Sequence, residues 1–201
     1  MSDTGNSPHL PIEDFRDYGY QLVDWLAEYF SNVENQRILP EISPGDIRAM
    51  LPDVAPEQAE DMSDIIADLD RVVMPGMAHW QHPGWFAFFP SGVSPVSVLG
   101  EFVAAGLATQ GMMWSTAPSP TEIENTVLDW LVDLLGLPST WRIDTGPGGG
   151  VLQMSASDST HLSLAIARHH AVEAGHATDS LVAYGSEQAH SSIEKGARIA
   201  G

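Results

Sequence analysis

Apolar residues recur every three or four positions in the first third of the chain, and this spacing predicts amphipathic helices. One apolar face follows Pro11 and ends near Asn32. It is made of Phe15, Tyr18, Gly19, Leu22, Val23, Leu26, Tyr29 and Phe30. A second helical pattern begins at Ser63, a residue type that caps helices, and stops before Pro75. The prolines between the two patterns predict an extended connector, with at most a short helical turn around residues 46–50.

Two more helices are predicted in the middle of the chain. Ser94 and Pro95 open the first, and the S-P-T-E sequence at residues 119–122 forms a capping box with proline at the first helical position of the second. The second helix is expected to end at Gly136. We expect the apolar positions of both helices to be buried: Val96, Leu99, Phe102, Val103 and Leu107 in the first, and Ile123, Val127, Trp130, Leu131 and Leu134 in the second.

The G-P-G-G-G stretch at residues 146–150 precedes another helical pattern, which closes at Gly175. Ser155 and Asp158 form an S-x-x-D capping pair, so the helix is predicted to start near Ser155 or Ser157. A glycine-rich turn before the free N–H groups of a helix is typical of an anion site, and phosphate is the ligand class that fits it best. An ordinary surface turn before a capped helix is the alternative. Neither the dinucleotide-binding glycine pattern nor the P-loop lysine motif is present.

The C-terminal part of the chain predicts an α/β domain. Leu181–Tyr184 has the composition of a short buried strand, and Ser191 with Glu194 predicts a capping box for a last helix. Helix, strand, turn and helix in succession are typical of an α/β layered domain with a largely parallel sheet. The N-terminal part shows helices and no strand pattern. We therefore expect a helical segment over residues 1–93 and the α/β domain over residues 94–201.

The charge balance excludes two classes of partner. The chain has 27 acidic and 8 basic residues, a net charge of −19, and Lys195 as its one lysine. Such a chain repels nucleic acid and anionic membranes, so neither is predicted to bind it. Adaptation to high salt and the absence of a more basic part of the protein explain this balance equally well. With no cysteine and no signal-peptide pattern in residues 1–10, we expect a soluble cytoplasmic protein.

Histidines are frequent in the C-terminal half: His161, His169, His170, His176 and His190. His169 and His170 are adjacent and so point differently from a helix, and no second ligand lies four residues from His161, so no metal site is predicted. His190 differs because it follows the predicted strand, at the sheet edge where open α/β proteins bind ligands. A purely structural role for His190 is the alternative.

The aromatic run at residues 79–91, H-W-Q-H-P-G-W-F-A-F-F-P-S, does not alternate as a core strand does. Rings this concentrated beside proline and glycine favour a pocket wall, while a buried hairpin or a dimer contact are the alternatives. Lys195 falls inside the last predicted helix. There a solvated surface lysine is favoured over a covalent role.

Five segments together resemble the pyridoxal-phosphate-dependent group II decarboxylases, and in particular the aromatic-L-amino-acid and tyrosine decarboxylases. They are M-P-G-M-A-H-W-Q-H-P at 74–83, F-A-F-F-P-S at 86–91, A-P-S-P-T-E-I-E at 117–124, G-G-G-V-L-Q-M-S-A-S-D-S-T at 148–160 and E-Q-A-H-S-S-I-E-K at 187–195. The similarity extends from about Phe15 to the end of the chain. It implies pyridoxal 5'-phosphate as cofactor.

The resemblance also implies a fold and an assembly. Residues 94–201 would be the first part of a fold type I large domain, similar to that of aspartate aminotransferase and incomplete here. Residues 1–93 would form a helical segment that wraps the partner subunit of a homodimer. In such enzymes the cofactor lysine, and the aspartate that faces the pyridine nitrogen, lie further downstream. The chain is therefore interpreted as an N-terminal part that is inactive alone.

Site residues can be carried over position by position. The resemblance implies that Ala156 and Ser157 hold the cofactor phosphate, and that His190 stacks on the pyridine ring and supports the reacting carboxylate. It assigns the substrate-pocket wall to Trp80, Phe88, Phe89, Pro90 and Ser91. Serine at the last of these positions replaces a threonine that is common in the aromatic decarboxylases. Gln110 and Met112 stand where apolar pocket residues of the partner are expected, which leaves the side-chain preference open.

The function that follows is decarboxylation of an aromatic L-amino acid by the complete enzyme. Aromatic aldehyde synthases share these motifs and are one alternative. Glutamate or histidine decarboxylases of the same family are another, which the apolar wall disfavours. A non-catalytic phosphate-binding or dimerisation module is the alternative from a different class of protein.

Overall fold

The computed structural model describes residues 10–89 and 92–201. The chain divides into two units, Met1–Glu101 and Phe102–Gly201. The division falls inside one helix, α4, which runs from Pro95 to Leu107. The functional boundary after residue 93 stays a prediction.

The described residues of the first unit form three α-helices before α4: α1 (Ile12–Asn32), α2 (Asp46–Met50) and α3 (Met62–Asp68). The predicted end of α1 and the short helical turn at α2 are confirmed. A π-helical turn, Leu69–Val73, and a 3-10 turn, Met74–Gly76, continue α3, so the helical backbone passes the predicted stop before Pro75 by two residues.

The predicted start of α3 is wrong, because Asp61 and not Ser63 occupies its N-cap. The carbonyl of Asp61 accepts the N–H groups of Asp64 and Ile65 at 3.0 and 3.2 Å. These bonds begin the helix two residues earlier than a Ser63 cap would.

The second unit contains α5 (Pro118–Leu134), α6 (Ala156–Glu173) and α7 (Ser192–Ala200). Helix α5 starts before its predicted capping box, since the Ala117 carbonyl already accepts both the N–H and the hydroxyl of Thr121, at 3.1 and 2.8 Å. Its predicted end is confirmed. Gly136 adopts the left-handed φ of +64°, and the next N–H, of Leu137, bonds back to the Val132 carbonyl.

A buried carboxylate fastens the loop after α5. Asp129 is 6% exposed and accepts the backbone N–H groups of Ile143 and Asp144 at 2.7 and 3.2 Å. The preceding residue, Arg142, bonds to Asp133 and to both carboxylate oxygens of Asp144. The hydrogen bonds from Arg142 lower the pKa of Asp144 to about 2. This network holds the chain immediately before the glycine-rich stretch.

The glycine-rich stretch packs against the backbone of the preceding turn. A Cβ on Gly148 would lie 2.4 Å from the Thr140 carbonyl oxygen, and one on Gly146 would lie 2.6 Å from the same atom. No side chain fits at such distances. The glycines are therefore required by close backbone packing in this turn.

Helices α6 and α7 make the most extensive helix–helix contact among the described residues. The contact passes through Gly196, where an added Cβ would lie 2.7 Å from a Leu164 methyl group and 2.9 Å from Cδ2 of His161. Gly196 thus lets the two helices approach closely.

The strand predicted at Leu181–Tyr184 is not formed. Leu181, Val182 and Ala183 line a cavity of about 190 Å³ together with residues of α6 and α7, but Val182 and Tyr184 are exposed. A strand is defined by ladder hydrogen bonds to a neighbour, and no strand occurs in residues 10–89 and 92–201. The described chain is therefore helical, and the sheet of the predicted α/β class is not seen in it.

The apolar faces of α4 and α5 are not covered, contrary to the prediction. Within the described ranges, the buried apolar side chains are Val72, Ala117 and Val132 alone. The α4 positions expected in a core are 54–80% exposed, and Trp130 and Leu134 of α5 are similarly open. Periodicity marks the face that a helix can bury, but not whether anything packs on it. None of the helices described here combines the length and hydropathy that a membrane span needs.

Candidate functional site

The start of α6 is built as predicted. Ser155 has an extended backbone, and its hydroxyl accepts the Asp158 N–H at 3.1 Å and donates to the Asp158 carboxylate at 2.8 Å. The N–H groups of Ala156 and Ser157 belong to the first helical turn, where no intrahelical acceptor exists. Together with the positive end of the helix dipole, they can receive an anion.

The approach to α6 is tied to α5. The Leu152 N–H donates to the Glu124 carboxylate at 2.7 Å, four residues before the helix begins. With the Asp129 contacts described above, both ends of the glycine-rich stretch are held by carboxylates of one helix. The anion-binding end of α6 is thus fixed by tertiary hydrogen bonds as well as by its own cap.

His190 caps α7 in place of the predicted capping box. Its Nδ1 lies 3.3 Å from the N–H of Ser192 and 3.1 Å from the Ser192 hydroxyl. A backbone N–H can only donate, so Nδ1 is the acceptor and we assign the ring proton to Nε2. The ring itself is exposed. The contacts of Ser192 with Nδ1 therefore fix the orientation of the imidazole and leave its Nε2–H available to a ligand.

The capping box of Ser191 and Glu194 is wrong for two local reasons. Ser191 has a right-handed helical backbone, φ −58° and ψ −13°, and makes no side-chain cap bond. Glu194 instead pairs with Arg198 one turn later, at 2.5 Å. Lys195 is exposed in the same helix, as the sequence predicted.

The aromatic run of the first unit forms a stacked cluster. The Trp80 ring stacks with those of Trp85 and Phe88, at centroid distances of 4.8 and 5.7 Å. Phe88 has a left-handed backbone with φ +60°, which is strained for a side chain of this size. We call Trp80, Trp85 and Phe88 the aromatic wall.

The structure groups some predicted wall residues and separates others. It brings Trp80 and Phe88 together, whereas Phe89 is fully exposed. Pro90 and Ser91 lie outside the described residues. Sequence reasoning missed Trp85 as a member, although its place in the same aromatic run was the signal that could have included it.

A second histidine, His79, is buried beside the aromatic wall and was also missed. It is 4% exposed, and its Nδ1 lies 3.0 Å from the hydroxyl of Tyr29 on α1. Burial lowers the pKa of His79, and the nearby His82 lowers it further. Burial raises the pKa of Tyr29. At neutral pH the pair therefore consists of an uncharged imidazole and an un-ionised phenol.

The remaining histidines do not converge. His169 lies 3.4 Å from Glu173 on the surface of α6, and Nε2 of His161 is buried with no hydrogen-bond partner in the described chain. No group of three or more His, Asp or Glu side chains among the described residues is placed to hold a metal ion. The residues predicted to bind the cofactor, Ala156, Ser157 and His190, all belong to the second unit, and the aromatic wall belongs to the first.

Comparison with known proteins places this arrangement. A family model for the pyridoxal-dependent decarboxylase conserved domain matches residues 44–201. The phenylacetaldehyde synthase of Arabidopsis thaliana is 39% identical over 194 residues, covering 96% of this chain and 39% of that protein. The aromatic-L-amino-acid decarboxylase of Catharanthus roseus is 37% identical over 202 residues, covering 100% of this chain and 40% of its own length.

A solved structure agrees with the sequence comparison. The crystal structure of Catharanthus roseus tryptophan decarboxylase in complex with L-tryptophan matches with a TM-score of 0.90 and 37% identity, over 97% of this chain and 42% of that one. The chain thus spans about two fifths of the length of the curated relatives it matches. Because the family model covers most of the chain and the backbone superposes closely, the chain belongs to the pyridoxal-dependent decarboxylase family and has the fold of the corresponding part of its members.

Proposed function

We propose that the complete protein is a pyridoxal-phosphate-dependent decarboxylase of aromatic L-amino acids. One observation carries this: the Ser155-capped start of α6, with the free N–H groups of Ala156 and Ser157, belongs to the same packed helix pair as His190 at the start of α7. The family relationship supplies the reaction class.

The residues present fit the cofactor. Two N–H groups and the hydroxyl of Ser157 can bind the phosphate, and the one carboxylate in the same turn, Asp158, is engaged by the Ser155 hydroxyl at 2.8 Å. The exposed imidazole of His190 offers a flat face to an aromatic ring. When bound, pyridoxal phosphate supplies an electron sink for the carbanion that loss of CO₂ generates.

The protein's part in the reaction is binding and positioning. Ala156 and Ser157 would hold the phosphate, so α6 would anchor the cofactor at one end. His190 would pack on the cofactor ring. With Nδ1 accepting the Ser192 N–H, the imidazole proton at Nε2 would be available for a hydrogen bond to the reacting carboxylate. Because Ser192 occupies Nδ1, this proton stays on the nitrogen that faces away from α7.

The aromatic wall supports an aromatic side chain as substrate. Trp80, Trp85 and Phe88 present stacked apolar surface and no cation that could receive a side-chain carboxylate. The Catharanthus roseus enzyme was solved with L-tryptophan, which is a substrate of this class. Phe89, Pro90 and Ser91 remain proposed wall residues on the resemblance alone.

An aromatic aldehyde synthase is the second candidate function. It is favoured by the similarity to the Arabidopsis thaliana phenylacetaldehyde synthase, which is as close as that to the decarboxylase compared above. The two activities differ in product, since a decarboxylase releases an amine and an aldehyde synthase releases an aldehyde. Product identification therefore separates them.

The finer fold, the assembly and the location are part of the same proposal. We infer a fold type I α/β large domain that continues beyond the helices described here, and a homodimer in which residues 1–93 wrap the partner subunit. The uncovered apolar face of α4 supports further packing. Light scattering of the full-length protein tests the dimer, and a fluorescent fusion tests the cytoplasmic location.

The experiment that tests the activity uses the full-length protein loaded with pyridoxal phosphate. Initial rates are measured with tyrosine, tryptophan, phenylalanine, histidine and glutamate, and the products are identified by mass spectrometry. We expect the highest kcat/KM with an aromatic substrate and an amine as product. A preference for glutamate would overturn the wall assignment, an aldehyde product would establish the second candidate, and no turnover with any of them would leave a binding module.

A further inference from the structure

The Tyr29–His79 contact links two distant parts of the first unit. The two side chains are fifty positions apart in sequence and meet at 3.0 Å, and the rings lie 5.6 Å apart at a tilt of 36°. A buried imidazole without a partner would cost free energy, so this bond satisfies a polar group that the fold has placed in its interior. Neither residue has a role in the function proposed above.

Helix α1 and the extension of α3 set the position of the Tyr29 hydroxyl. The Tyr29 ring stacks on Trp25 with an interplanar angle of 5°, one turn earlier on α1. The indole N–H of Trp25 donates to Asp70 at 3.0 Å. The stacking on Trp25, which is itself hydrogen-bonded to Asp70, restrains the Tyr29 ring, so that its hydroxyl can hold His79 in one position.

The backbone around His79 is held as firmly as its ring. The His79 N–H donates to the Ile38 carbonyl at 3.0 Å, and the His79 carbonyl accepts the N–H of His82 at 2.9 Å. The ring of His82 accepts the Gly84 N–H at 2.8 Å, which closes a compact turn over residues 79–84. With its side chain anchored by Tyr29, this turn has little freedom to rotate.

Trp80 lies inside this turn, one peptide bond from His79. Its ring contacts belong to the aromatic wall, at 4.8 Å to Trp85 and 5.7 Å to Phe88. Because His79 and Trp80 share a peptide bond, we expect loss of the side-chain anchor at His79 to loosen the turn that carries the Trp80 ring. The position of the aromatic wall, which we propose contacts the substrate, therefore depends on the hydrogen bond between Tyr29 and His79.

We propose that Tyr29 and His79 form a positioning pair, which fixes the Trp80 ring in the aromatic wall and so sets the choice between one-ring and two-ring aromatic substrates. The positioning step stands on the contacts above, and the substrate step rests on the proposed function. The competing account is a brace that stabilises the fold and leaves the wall unaffected.

Four variants of the full-length protein separate these accounts. Tyr29→Phe removes the hydroxyl and keeps the ring that stacks on Trp25. Its matched control is Tyr20→Phe, on the exposed side of the same helix. His79→Asn keeps a polar atom near the position of Nδ1, whereas His79→Gln places it near that of Nε2 and loses the bond to Tyr29.

The first readout is independent of activity. With ¹⁵N-labelled tryptophan, the indole N–H signals of Trp80 and Trp85 are assigned from their phenylalanine variants. We expect both signals to shift in Tyr29→Phe and His79→Gln, and to stay in place in Tyr20→Phe and His79→Asn. Unshifted signals in Tyr29→Phe would overturn the positioning role, even if the melting temperature falls.

The second readout is the ratio of kcat/KM for tryptophan to that for tyrosine. We expect this ratio to change about tenfold in Tyr29→Phe and His79→Gln, through KM more than kcat, because a displaced wall alters side-chain fit. Shifted indole signals with an unchanged ratio would overturn the specificity role. If no aromatic amino acid is turned over, the proposed function fails, and the indole signals still decide the positioning role.

Discussion

At the scale of single residues, the orientation of His190 depends on Ser192. The serine is 6% exposed and presents both its N–H and its hydroxyl to Nδ1 of the imidazole. A histidine that acts on a ligand must keep its proton on the correct nitrogen, and the partner of the other nitrogen decides this. We therefore expect Ser192 to act on the proposed reaction through His190.

A double-mutant cycle on the full-length enzyme tests this dependence. We expect His190→Ala to lower kcat by about 10²–10⁴-fold with a much smaller effect on cofactor Kd, since the phosphate contacts at α6 remain. Ser192→Ala should lower kcat about tenfold, because the backbone N–H is kept. The double variant should lose no more than His190→Ala alone. Near-normal kcat with a lowered melting temperature in His190→Ala would remove His190 from the active site.

The protonation of His79 predicts a pH dependence of stability. Burial lowers the pKa of His79 below its ordinary value of about 6.5. Between these two pKa values the imidazole is protonated in the unfolded chain and neutral in the folded chain. Stability from this group is therefore present above pH 6.5 and is lost as the pH falls from 6.5 towards the lowered folded-state pKa. Melting temperatures at pH 7.5 and 5.5 should differ more for the wild type than for His79→Asn. An equal pH difference in the two proteins would contradict the lowered pKa.

At the scale of elements, the glycine-rich turn provides a matched pair of substitutions. A Cβ on Gly148 would lie 2.4 Å from the Thr140 oxygen and 2.6 Å from the Trp141 Cα, both backbone atoms that cannot move aside cheaply. A Cβ on Gly150 would meet only Leu128 methyl groups at 3.5 Å, an ordinary contact.

We therefore expect Gly148→Ala to lower the free energy of unfolding by about 1–3 kcal/mol and to weaken phosphate binding at α6. Gly150→Ala should change stability by less than about 1 kcal/mol in either direction. Denaturant unfolding and cofactor titration of the two full-length variants measure both effects. Equal losses in both would mean that the turn tolerates no side chain anywhere, against the contacts observed.

Helix ends were predictable from sequence where the signal is local. Gly136 and Gly175 end α5 and α6 in the left-handed conformation, and Ser155 caps α6, as predicted. The capping boxes predicted at residues 119–122 and at Ser191 do not form, because other acceptors bind the first N–H groups of these helices. The acceptor is the Ala117 carbonyl in α5 and the His190 ring in α7. A capping motif states which bond is available, and the backbone around it decides which bond forms.

At the scale of the whole molecule, residues 1–201 expressed alone should produce no amine from any L-amino acid. Two features support this expectation. The one lysine of these residues, Lys195, is exposed on a helix, and the apolar faces of α4 and α5 are uncovered. Amine assays with added pyridoxal phosphate, beside the full-length protein as control, measure the activity. Fluorescence of an apolar dye should rise on binding to the isolated polypeptide. Amine production by residues 1–201 would contradict the prediction.

The fold was accessible from sequence mainly through motifs. Periodicity located the helices, and five motifs in order identified the family that the comparisons confirm. Burial was not accessible in the same way. Val96 and Trp130 belong to the apolar stripes of their helices, yet both are exposed. An apolar stripe identifies the side that a helix can bury, but not whether another element covers that side.

The sequence by itself determined the helix periods, the glycine helix ends, the Ser155 cap and the family motifs, because each is encoded within a few neighbouring residues. Only the tertiary structure decided the Tyr29–His79 bond, the buried Asp129 and the membership of Trp85 in the aromatic wall. The first two link residues 14 or more positions apart, and the third is the stacking of Trp85 on Trp80 across the turn at residues 79–84. Contacts of this kind arise from how the chain returns on itself, and no local pattern of residue types specifies that path.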